Sequence, residues 1–253
     1  MRLNFRNTLF AVALIAGGQN VLADSLQHIQ DSGELDVCVN PFQPPFSVRQ
    51  PEVQGLQIDV AKALADSLGV NLNLSWIVQK RDSKKTRCDL YAGVARLGDG
   101  KSKYVRITQP YMELQFKLVL PADSQPVKGL DDLKQTVVGV PAGSMGAHLL
   151  NEGAVPVAIR FNDELSRLQA VVDGEIGAAL VSNVTLGYMQ KQGHSFNVYD
   201  AEALLGNKLN YLYALGLRKA DDATETQFNE LLKTLKEDGS LDKVLNKYGV
   251  SAL

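Results

Sequence analysis

The sequence predicts an α/β fold in two lobes with largely parallel sheets, and two observations predict it. Short apolar runs alternate with amphipathic stretches of helical period, as in chains that form parallel strands joined by helices. The same pattern starts twice, before and after about residue 120, so two similar lobes are expected. Because a cleft between lobes exposes strand ends and helix N-termini from both sides, we expect the ligand site there.

The elements of the first half follow from this periodicity. Residues 35–40 form a strand, and residues 57–68 place their apolar side chains on one helical face before Gly69, a typical helix stop. Residues 70–78 alternate as a strand, and the basic segment 79–87 is expected to be a solvated loop or a single helical turn rather than an anion site. Further strands are predicted at residues 88–94 and 114–120.

The second half continues with strands and helices and ends with two amphipathic helices. Strands are predicted at residues 137–140, 155–161, 178–181 and 212–217. Helices are predicted at residues 144–151, 163–173, 184–192, 223–237 and 241–247.

Residues 1–23 are predicted to be a signal peptide that directs the chain to the periplasm. Arg2 and Arg6 precede an apolar run at residues 9–15, and a small-residue motif ends at Ala23, where cleavage is expected. A membrane span needs about 20 apolar residues, whereas this run is broken by glycine, glutamine and asparagine. We therefore expect export rather than anchoring.

The charge balance argues against a nucleic-acid partner. The chain has 26 basic and 28 acidic residues, and losing Arg2 and Arg6 would leave 24 basic residues and a net charge of −4. Nucleic-acid binding would need a basic stripe or an arginine cluster, and neither is evident.

Cys38 and Cys88 each lie at the start of a predicted strand, so the two could sit on neighbouring strands. In an oxidising compartment such thiols tend to pair, and we expect a disulfide; two separate buried thiols are the alternative. The histidines, His28, His148 and His194, are well separated, so metal-ligand spacing is absent and we expect no metal and no cofactor.

Four segments resemble the family-3 bacterial solute-binding proteins, best known for binding amino acids in the periplasm. They are GLQIDVAKALADSLG at residues 55–69, DLYAGVARLGDGKSKYVRITQPY at 89–111, VVGVPAGSMGAHLL at 137–150 and LKTLKEDGSLDKVLNKYG at 232–249. A strand at residues 38–40 and Pro45-Phe46 precede them in the order of the family.

The resemblance implies a type II periplasmic binding protein fold, in which each lobe is a mixed, mostly parallel sheet flanked by helices. It assigns residues 24–116 and 211–253 to lobe 1, and residues 117–210 to lobe 2. Two chain crossings, near residues 115–119 and 207–211, would form a two-strand hinge that closes around a ligand.

The same resemblance implies how an amino acid would be held, and this chain departs from it. The family arginine that binds the carboxylate falls on Lys101, and the aspartate that binds the ammonium falls on Ser182, with Asn183 beside it. A desolvated ammonium needs a counter-charge, so the expected ammonium partner is missing. If Ser182 occupies that position, Ser182→Asp should improve amino acid binding.

Other candidate ligand contacts come from both predicted lobes. Gly143 and Ser144 open a helix whose free N–H groups could bind an anion, although Ser144 could equally be a simple cap. Phe42 and Gln43 are expected at the cleft, with Phe46 in the core.

Two larger side chains leave alternatives open. Trp76 faces the cleft by analogy with the family, but a lone tryptophan is more often structural. Arg96 stands where the family places a small serine, so it either supplies the missing positive charge or lies on the surface.

The predicted function is that of a monomeric, non-enzymatic receptor that binds a small polar or anionic molecule for an ABC permease. A narrower resemblance, carried by VCVNP, W-x-x-Q-K-R and the Cys before Asp89, is to binding-protein-like components of periplasmic quinoprotein dehydrogenases. An enzyme similar to cyclohexadienyl dehydratase, built on the same fold, is the third alternative. Its general acid would have to be Glu113 or Glu175, and neither has an identifiable partner.

Overall fold

A computed structural model describes residues 25–50, 55–96 and 105–253. The signal-peptide prediction and Lys101 lie outside these described residues. In chain order the elements are α1 (Ser25–Ser32), β1 (Glu34–Val39), β2 (Phe42–Gln43), β3 (Ser47–Val48), α2 (Leu56–Leu68), β4 (Asn71–Trp76), β5 (Leu90–Arg96), β6 (Val105–Ile107), β7 (Met112–Leu114), β8 (Phe116–Pro121), β9 (Val138–Gly139), α3 (Met145–Glu152), β10 (Val157–Ala158), α4 (Glu164–Val172), β11 (Ala178–Ser182), α5 (Asn183–Lys191), β12 (Phe196–Asp200), α6 (Ala201–Leu205), β13 (Tyr211–Arg218), α7 (Asp222–Glu237) and α8 (Ser240–Leu245). Short 3₁₀ turns occur at Lys80–Lys85, Leu130–Leu133 and Asn246–Tyr248.

The first lobe is built on the sheet β4-β1-β5-β13-β6, with β7 also paired to β13. Helix α2 covers this sheet with an apolar face on which Val60, Ala61 and Leu64 are fully buried. The helix ends at Gly69, whose φ of 68° lets its N–H return to the carbonyls of the last turn. The predicted helix and its glycine stop are therefore confirmed.

The second lobe is built on the sheet β10-β9-β11-β8-β12 and has an apolar cluster on each face. Leu118, Val138 and Leu180 belong to one cluster, and Leu168 and Val181 belong to the other. A two-lobed α/β chain with mixed sheets is thus confirmed. Among the helices of the described ranges, none is long and apolar enough to cross a membrane.

The sheets contain more antiparallel pairing than the sequence pattern indicates. Strand β1 is parallel to β4 and β5, and β9 is parallel to β10 and β11. Strands β8 and β13, however, pair only in the antiparallel sense. Each begins beside the end of a parallel strand, where Phe116 faces Ser182 and Leu212 faces Arg96, because each enters its sheet directly from the other lobe.

Two elements at one edge of the second sheet were not predicted from the sequence. Strand β12 is an edge strand with no fully buried residue, so its apolar signal is weak, and the five-residue helix α6 follows it directly. Conversely, the strand predicted at residues 155–161 shrinks to Val157–Ala158, since only those two residues pair with β9. The basic segment forms a 3₁₀ helix of six residues, Lys80–Lys85, which is longer than the single turn expected.

The chain passes between the sheets at Gln115 and again over residues 206–210, and asparagine side chains tie these crossings together. The Phe116 N–H donates to Asn210 Oδ1 at 2.7 Å, and the Gln115 N–H donates to Asn183 Oδ1 at 3.2 Å. Asn183 Nδ2 donates in turn to the Glu113 carbonyl at 3.1 Å. The two crossings therefore lie side by side, as a two-strand hinge requires.

Cys38 and Cys88 form a disulfide within the first lobe. Cys38 lies on β1, and Cys88 lies two residues before β5, which pairs with β1. Their Cα atoms are 5.5 Å apart, within the range that a disulfide needs. The predicted disulfide is confirmed, with Cys88 just before its strand rather than on it.

Candidate ligand-binding cleft

A cavity of about 260 Å³ lies between the two lobes and is lined by both of them. The lining combines aromatic, amide and charged side chains, as is usual for sites that bind small polar molecules. The lining residues are Gln43, Pro44, Phe46, Gln57, Leu114, Tyr211 and Tyr213 from the first lobe, and Pro141, Asn162, Asp163, Glu164 and Arg167 from the second.

The first-lobe wall is organised around Tyr213 on β13. Its ring packs edge-on against Phe46, with centroids 6.2 Å apart, and its hydroxyl accepts a hydrogen bond of 2.6 Å from Gln57 Nε2. A Cβ atom at Gly93 would lie 2.1 Å from that hydroxyl, so only glycine there leaves room for the ring. Burial raises the pKa of Tyr213 well above its ordinary value, which keeps the phenol protonated and able to donate to a ligand.

Tyr211 lies two residues earlier on β13 and lines the same wall. Burial, and secondarily the negative charge of Glu164, raise its pKa to about 12. Its phenol is therefore neutral at physiological pH and adds a second uncharged donor to the cleft.

The second-lobe wall is the first turn of α4. Asp163 caps this helix by accepting the Ser166 N–H at 2.8 Å. Glu164 follows, and its Oε2 atom accepts the Ser182 N–H at 2.9 Å, the Ser182 hydroxyl and the Thr185 hydroxyl at 2.7 Å. The carboxylate is thereby fixed at the end of β11.

Arg167, one turn further along α4, is a buried charge at the cavity. Its side chain is 3% exposed, and its Nη1 donates to the Leu180 carbonyl at 2.8 Å. Its Nε is buried and has no hydrogen-bond partner within the described chain. Burial lowers its pKa, with the charges of Glu164 and Asp163 acting in the opposite direction, and a guanidinium still remains protonated.

Gly139 on β9 makes space for this arginine. A Cβ atom there would lie 2.6 Å from Arg167 Cγ. The small residue on the strand therefore allows the arginine stem to lie flat against the second sheet.

Of the residues predicted at the cleft entrance, Gln43 lines the cavity. Phe42 is 67% exposed and lies in an adjoining groove, which it shares with Asn162 and Asp163. Phe46, expected in the core, is half-buried and lines the cavity as well. The ligand contacts of Phe42 and Gln43 remain predictions.

Trp76 and Arg96 do not line the cavity. Trp76 is half-buried against the first-lobe core, and the Arg49 guanidinium lies 5.7 Å from its ring centroid. Arg96 Nη1 donates to the carbonyls of Ile107, at 2.9 Å, and Thr108. These contacts favour the structural interpretation of Trp76, and they tie Arg96 to the backbone at the end of β6, where it is neither at the cavity nor a freely solvated surface residue.

Gly143, Ser144, Ser182 and Asn183 lie near the cleft without lining the cavity. Ser144 caps α3 by accepting the Ala147 N–H at 3.1 Å, and Gly143 precedes it with a φ of 67°. Ser182 is fully buried, caps α5 and holds Glu164, while Asn183 binds the hinge strand. An anion at the α3 N-terminus stays a prediction.

The two acids considered for catalysis are both engaged elsewhere. Glu113 Oε2 accepts a hydrogen bond of 2.8 Å from Gln115 Nε2 at the hinge. Glu175 forms an exposed ion pair of 2.8 Å with Arg160. Neither lines the cavity. Within the described ranges, no group of three or more His, Cys, Asp or Glu residues could hold a metal ion.

Sequence reasoning missed the charged residues that line the cavity, Asp163, Glu164 and Arg167. One signal for them was present. Arg167 is four residues before Val171, on the buried face of α4, where an unpaired arginine is unusual. Glu164, three residues before Arg167, lies on the same side of the helix.

The fold and the cavity define a class of two-lobed α/β proteins whose ligand site lies between the lobes. Residues 35–251 match the bacterial extracellular solute-binding proteins, family 3, and the chain belongs to this family.

Similar proteins agree with this assignment. The chain is 26% identical to the L-cystine-binding protein TcyJ of Escherichia coli strain K12, over 95% of this chain and 92% of that protein. It is also 26% identical to membrane-bound lytic murein transglycosylase F of Aeromonas hydrophila, over 89% of this chain but only 47% of that protein. The solved structure of an ancestral cationic amino acid solute binding protein shares the fold, with a TM-score of 0.70 and 24% identity over 88% of this chain and 99% of that one.

Proposed function

We propose that the protein is a periplasmic receptor that traps a small polar or anionic molecule, amino-acid-like or an organic acid, between its lobes and delivers it to an ABC permease. The observation that carries this proposal is the cavity of about 260 Å³ with walls from both lobes. A ligand held by both walls would stabilise the closed arrangement, because it gains contacts that one lobe cannot provide.

The size and lining of the cavity support a metabolite rather than a large ligand. The volume is slightly below the range of about 300–1,000 Å³ typical of drug-sized ligands. Its phenols, amides and charges can satisfy several polar groups of a small molecule, while Phe46 and Leu114 supply apolar contacts. The relative TcyJ is named as an L-cystine-binding protein, and L-cystine is likewise a small polar molecule.

Binding without catalysis is part of the proposal. Glu113 and Glu175 lie off the cavity and have partners of their own. The chain covers only about half of the transglycosylase relative, so that enzyme's activity is not carried over.

Ligand-induced stabilisation tests the receptor function. Protein stripped of co-purified ligand by unfolding and refolding should be titrated with the common L-amino acids, L-cystine, organic acids and amines. A true ligand should raise the melting temperature, since binding only the native state stabilises it by RT ln(1 + [L]/Kd). Absence of any shift or calorimetric signal across the whole panel would contradict the proposal.

An accessory role beside a periplasmic quinoprotein dehydrogenase is the alternative. The Cys38–Cys88 disulfide is the feature that favours it, because that subgroup also carries two cysteines. Co-purification with a dehydrogenase, without ligand binding by the stripped protein, would favour this role over the receptor.

A further inference from the structure

We propose that the basic segment, residues 79–87 of the first lobe, is a docking surface for an anionic lipid membrane. The segment has five Lys or Arg residues and one acidic residue, a net charge of +4. The whole chain carries −2, so all its other residues together carry −6. Positive charge is thus concentrated in nine residues of an otherwise acidic chain. The inference goes beyond the proposed receptor function, because it needs no ligand in the cleft.

The fold holds the basic segment by both of its ends and by its middle. Ile77 before it and Cys88 after it are buried in one small apolar cluster around the disulfide. Between them, Ser83 is buried and its hydroxyl accepts a hydrogen bond of 2.7 Å from the Tyr91 hydroxyl. The Thr86 hydroxyl lies 3.4 Å from each sulfur of the disulfide. These contacts fix the backbone from which the charged side chains extend.

The 3₁₀ helix of the segment directs its cations away from the protein. Residues three apart in such a helix lie on the same side. Ser83 and the capping residue Thr86 are three apart and take the inward side. Arg81 and Lys84 therefore share a second side, and Lys85 lies on the third. All three cations are exposed to solvent.

The positive charges of the segment are not neutralised by the rest of the molecule. Four exposed cations have no ion-pair partner among the residues that the structure describes: Arg81, Lys84, Lys85 and Arg87. The acid of the segment, Asp82, turns back and accepts the backbone N–H of the helix N-cap at 3.0 Å. The four cations are therefore available to an external partner.

The shape of this surface suits an extended partner rather than a small anion. None of residues 79–87 lines the cleft cavity or the grooves beside Phe42 and Asp59. A small anion would meet only solvent-screened charges there, whereas an extended anionic surface can contact all four cations at once. Val78 adjoins them and is 59% exposed. Exposed cations beside an apolar side chain favour a lipid surface, which offers phosphates and hydrocarbon together.

Screening lets this segment act although the chain as a whole is acidic. At physiological ionic strength the Debye length is about 8–10 Å, so charges farther from the lipid surface contribute little. Each Lys or Arg near an anionic membrane strengthens binding about fivefold, so four cations contribute roughly 600-fold. Binding of this strength is weak and reversible. It would let a receptor search along a membrane for its permease without being trapped there.

Vesicle sedimentation of the purified, ligand-free protein tests this assignment. Vesicles of phosphatidylcholine alone are compared with equimolar phosphatidylcholine and phosphatidylglycerol, at low and at high salt. The segment variant is Arg81→Gln/Lys84→Gln. The control is Lys233→Gln/Lys236→Gln, which removes the same charge from exposed positions on α7. All these proteins share one N-terminus, so any binding by residues 1–23 cancels in the comparison.

We expect wild type to bind the anionic vesicles at low salt, to leave them at high salt and not to bind the neutral ones. The segment variant should bind the anionic vesicles about 25-fold more weakly, as the loss of two cations predicts. The control should bind as wild type does, because its lysines lie outside the segment. Circular dichroism confirms that both variants are folded.

Three results would overturn the membrane proposal. The first is wild-type protein that binds anionic vesicles no better than neutral ones. The second is equal weakening in the segment variant and the control, which would indicate an effect of net charge alone. The third is salt-sensitive binding to poly-L-glutamate without binding to anionic vesicles, which would assign the segment to an acidic polypeptide instead. None of these experiments contains a cleft ligand, so their outcome leaves the receptor function standing, and a failed ligand panel leaves membrane binding standing.

Discussion

The carboxylate of Glu164 accepts the backbone N–H of Ser182 at 2.9 Å and also the Ser182 hydroxyl, so a helix and a strand end are joined at the cleft. Thr185 donates to the same oxygen at 2.7 Å. Three donors therefore converge on one carboxylate oxygen. The relationship changes what a substitution at Ser182 should do.

Ser182→Asp is therefore expected to destabilise the folded protein rather than to improve amino acid binding. Ser182 is fully buried, so the new carboxylate would face Glu164 without water. The free energy of unfolding should fall by about 2 kcal/mol or more at neutral pH. Urea denaturation measures this loss.

Glu164→Gln provides the partner for a double-mutant cycle with Ser182→Asp. Because the amide removes the like charge, Ser182→Asp should cost less in the Glu164→Gln background. Equal costs in both backgrounds would mean that the two carboxyl groups do not interact.

Gly93→Ala should displace Tyr213 from the cleft wall. The added methyl would lie 2.1 Å from the phenol oxygen and 2.3 Å from the ring, a distance that real Cβ atoms do not tolerate. We expect a loss of about 1–3 kcal/mol in unfolding free energy, together with weaker ligand binding. Gly129→Ala is the matched control, since no atom lies within 4 Å of its added Cβ and its φ of −172° is open to alanine. Wild-type stability and affinity in Gly93→Ala would contradict this account of Tyr213.

Reduction of the Cys38–Cys88 disulfide should destabilise the protein. The bond closes a loop of 50 residues in sequence, and the loss of such a constraint costs roughly 2–4 kcal/mol. The urea midpoint with and without a thiol reductant measures the effect. A Cys38→Ala/Cys88→Ala variant should show the lower midpoint under both conditions; a reductant effect of the same size in that variant would exclude the disulfide as its cause.

Alkaline titration should reveal the buried phenols of β13. The pKa of Tyr211 is raised from 10.0 to about 12, and that of Tyr213 is raised as well. Because the protonated form is favoured in the folded state, stability is fully present below about pH 10 and is lost as the pH rises toward about 12. Tyr211 alone should contribute about 2 kcal/mol of this loss, measured by urea denaturation across the alkaline range.

Tyr211→Phe serves as the comparison for the alkaline titration. It removes one phenol while keeping the ring, so stability should decline less steeply above about pH 10. A decline as steep as that of wild type would show that Tyr211 ionises with an ordinary pKa.

The sequence predicts the fold of this protein better than the residues of its candidate site. The helix that ends at Gly69 and the Cys38–Cys88 pairing were predictable because each depends on local signals: periodicity, a glycine stop and strand position. Arg96 illustrates the limit. Its position in the chain leaves the cleft and the surface open as alternatives, and its guanidinium binds the carbonyls of Ile107 and Thr108 instead.

The charged groups of the cavity escaped prediction for a related reason. The family resemblance places an ammonium-binding aspartate at position 182, where this chain has a serine. The structure brings the Glu164 carboxylate into contact with Ser182 from 18 residues away. Such a contact between elements depends on how α4 packs on β11, which no single-sequence pattern encodes.

The disulfide also separates two demands that the proposed receptor function makes on the chain. Both cysteines belong to the first lobe, so the crosslink does not bridge the crossings at Gln115 and residues 206–210. It can therefore stabilise the first lobe against unfolding and proteolysis without restricting the hinge motion that the proposed function requires. The stability of the first lobe and the motion at the crossings thus depend on different parts of the chain, and each could change in evolution without altering the other.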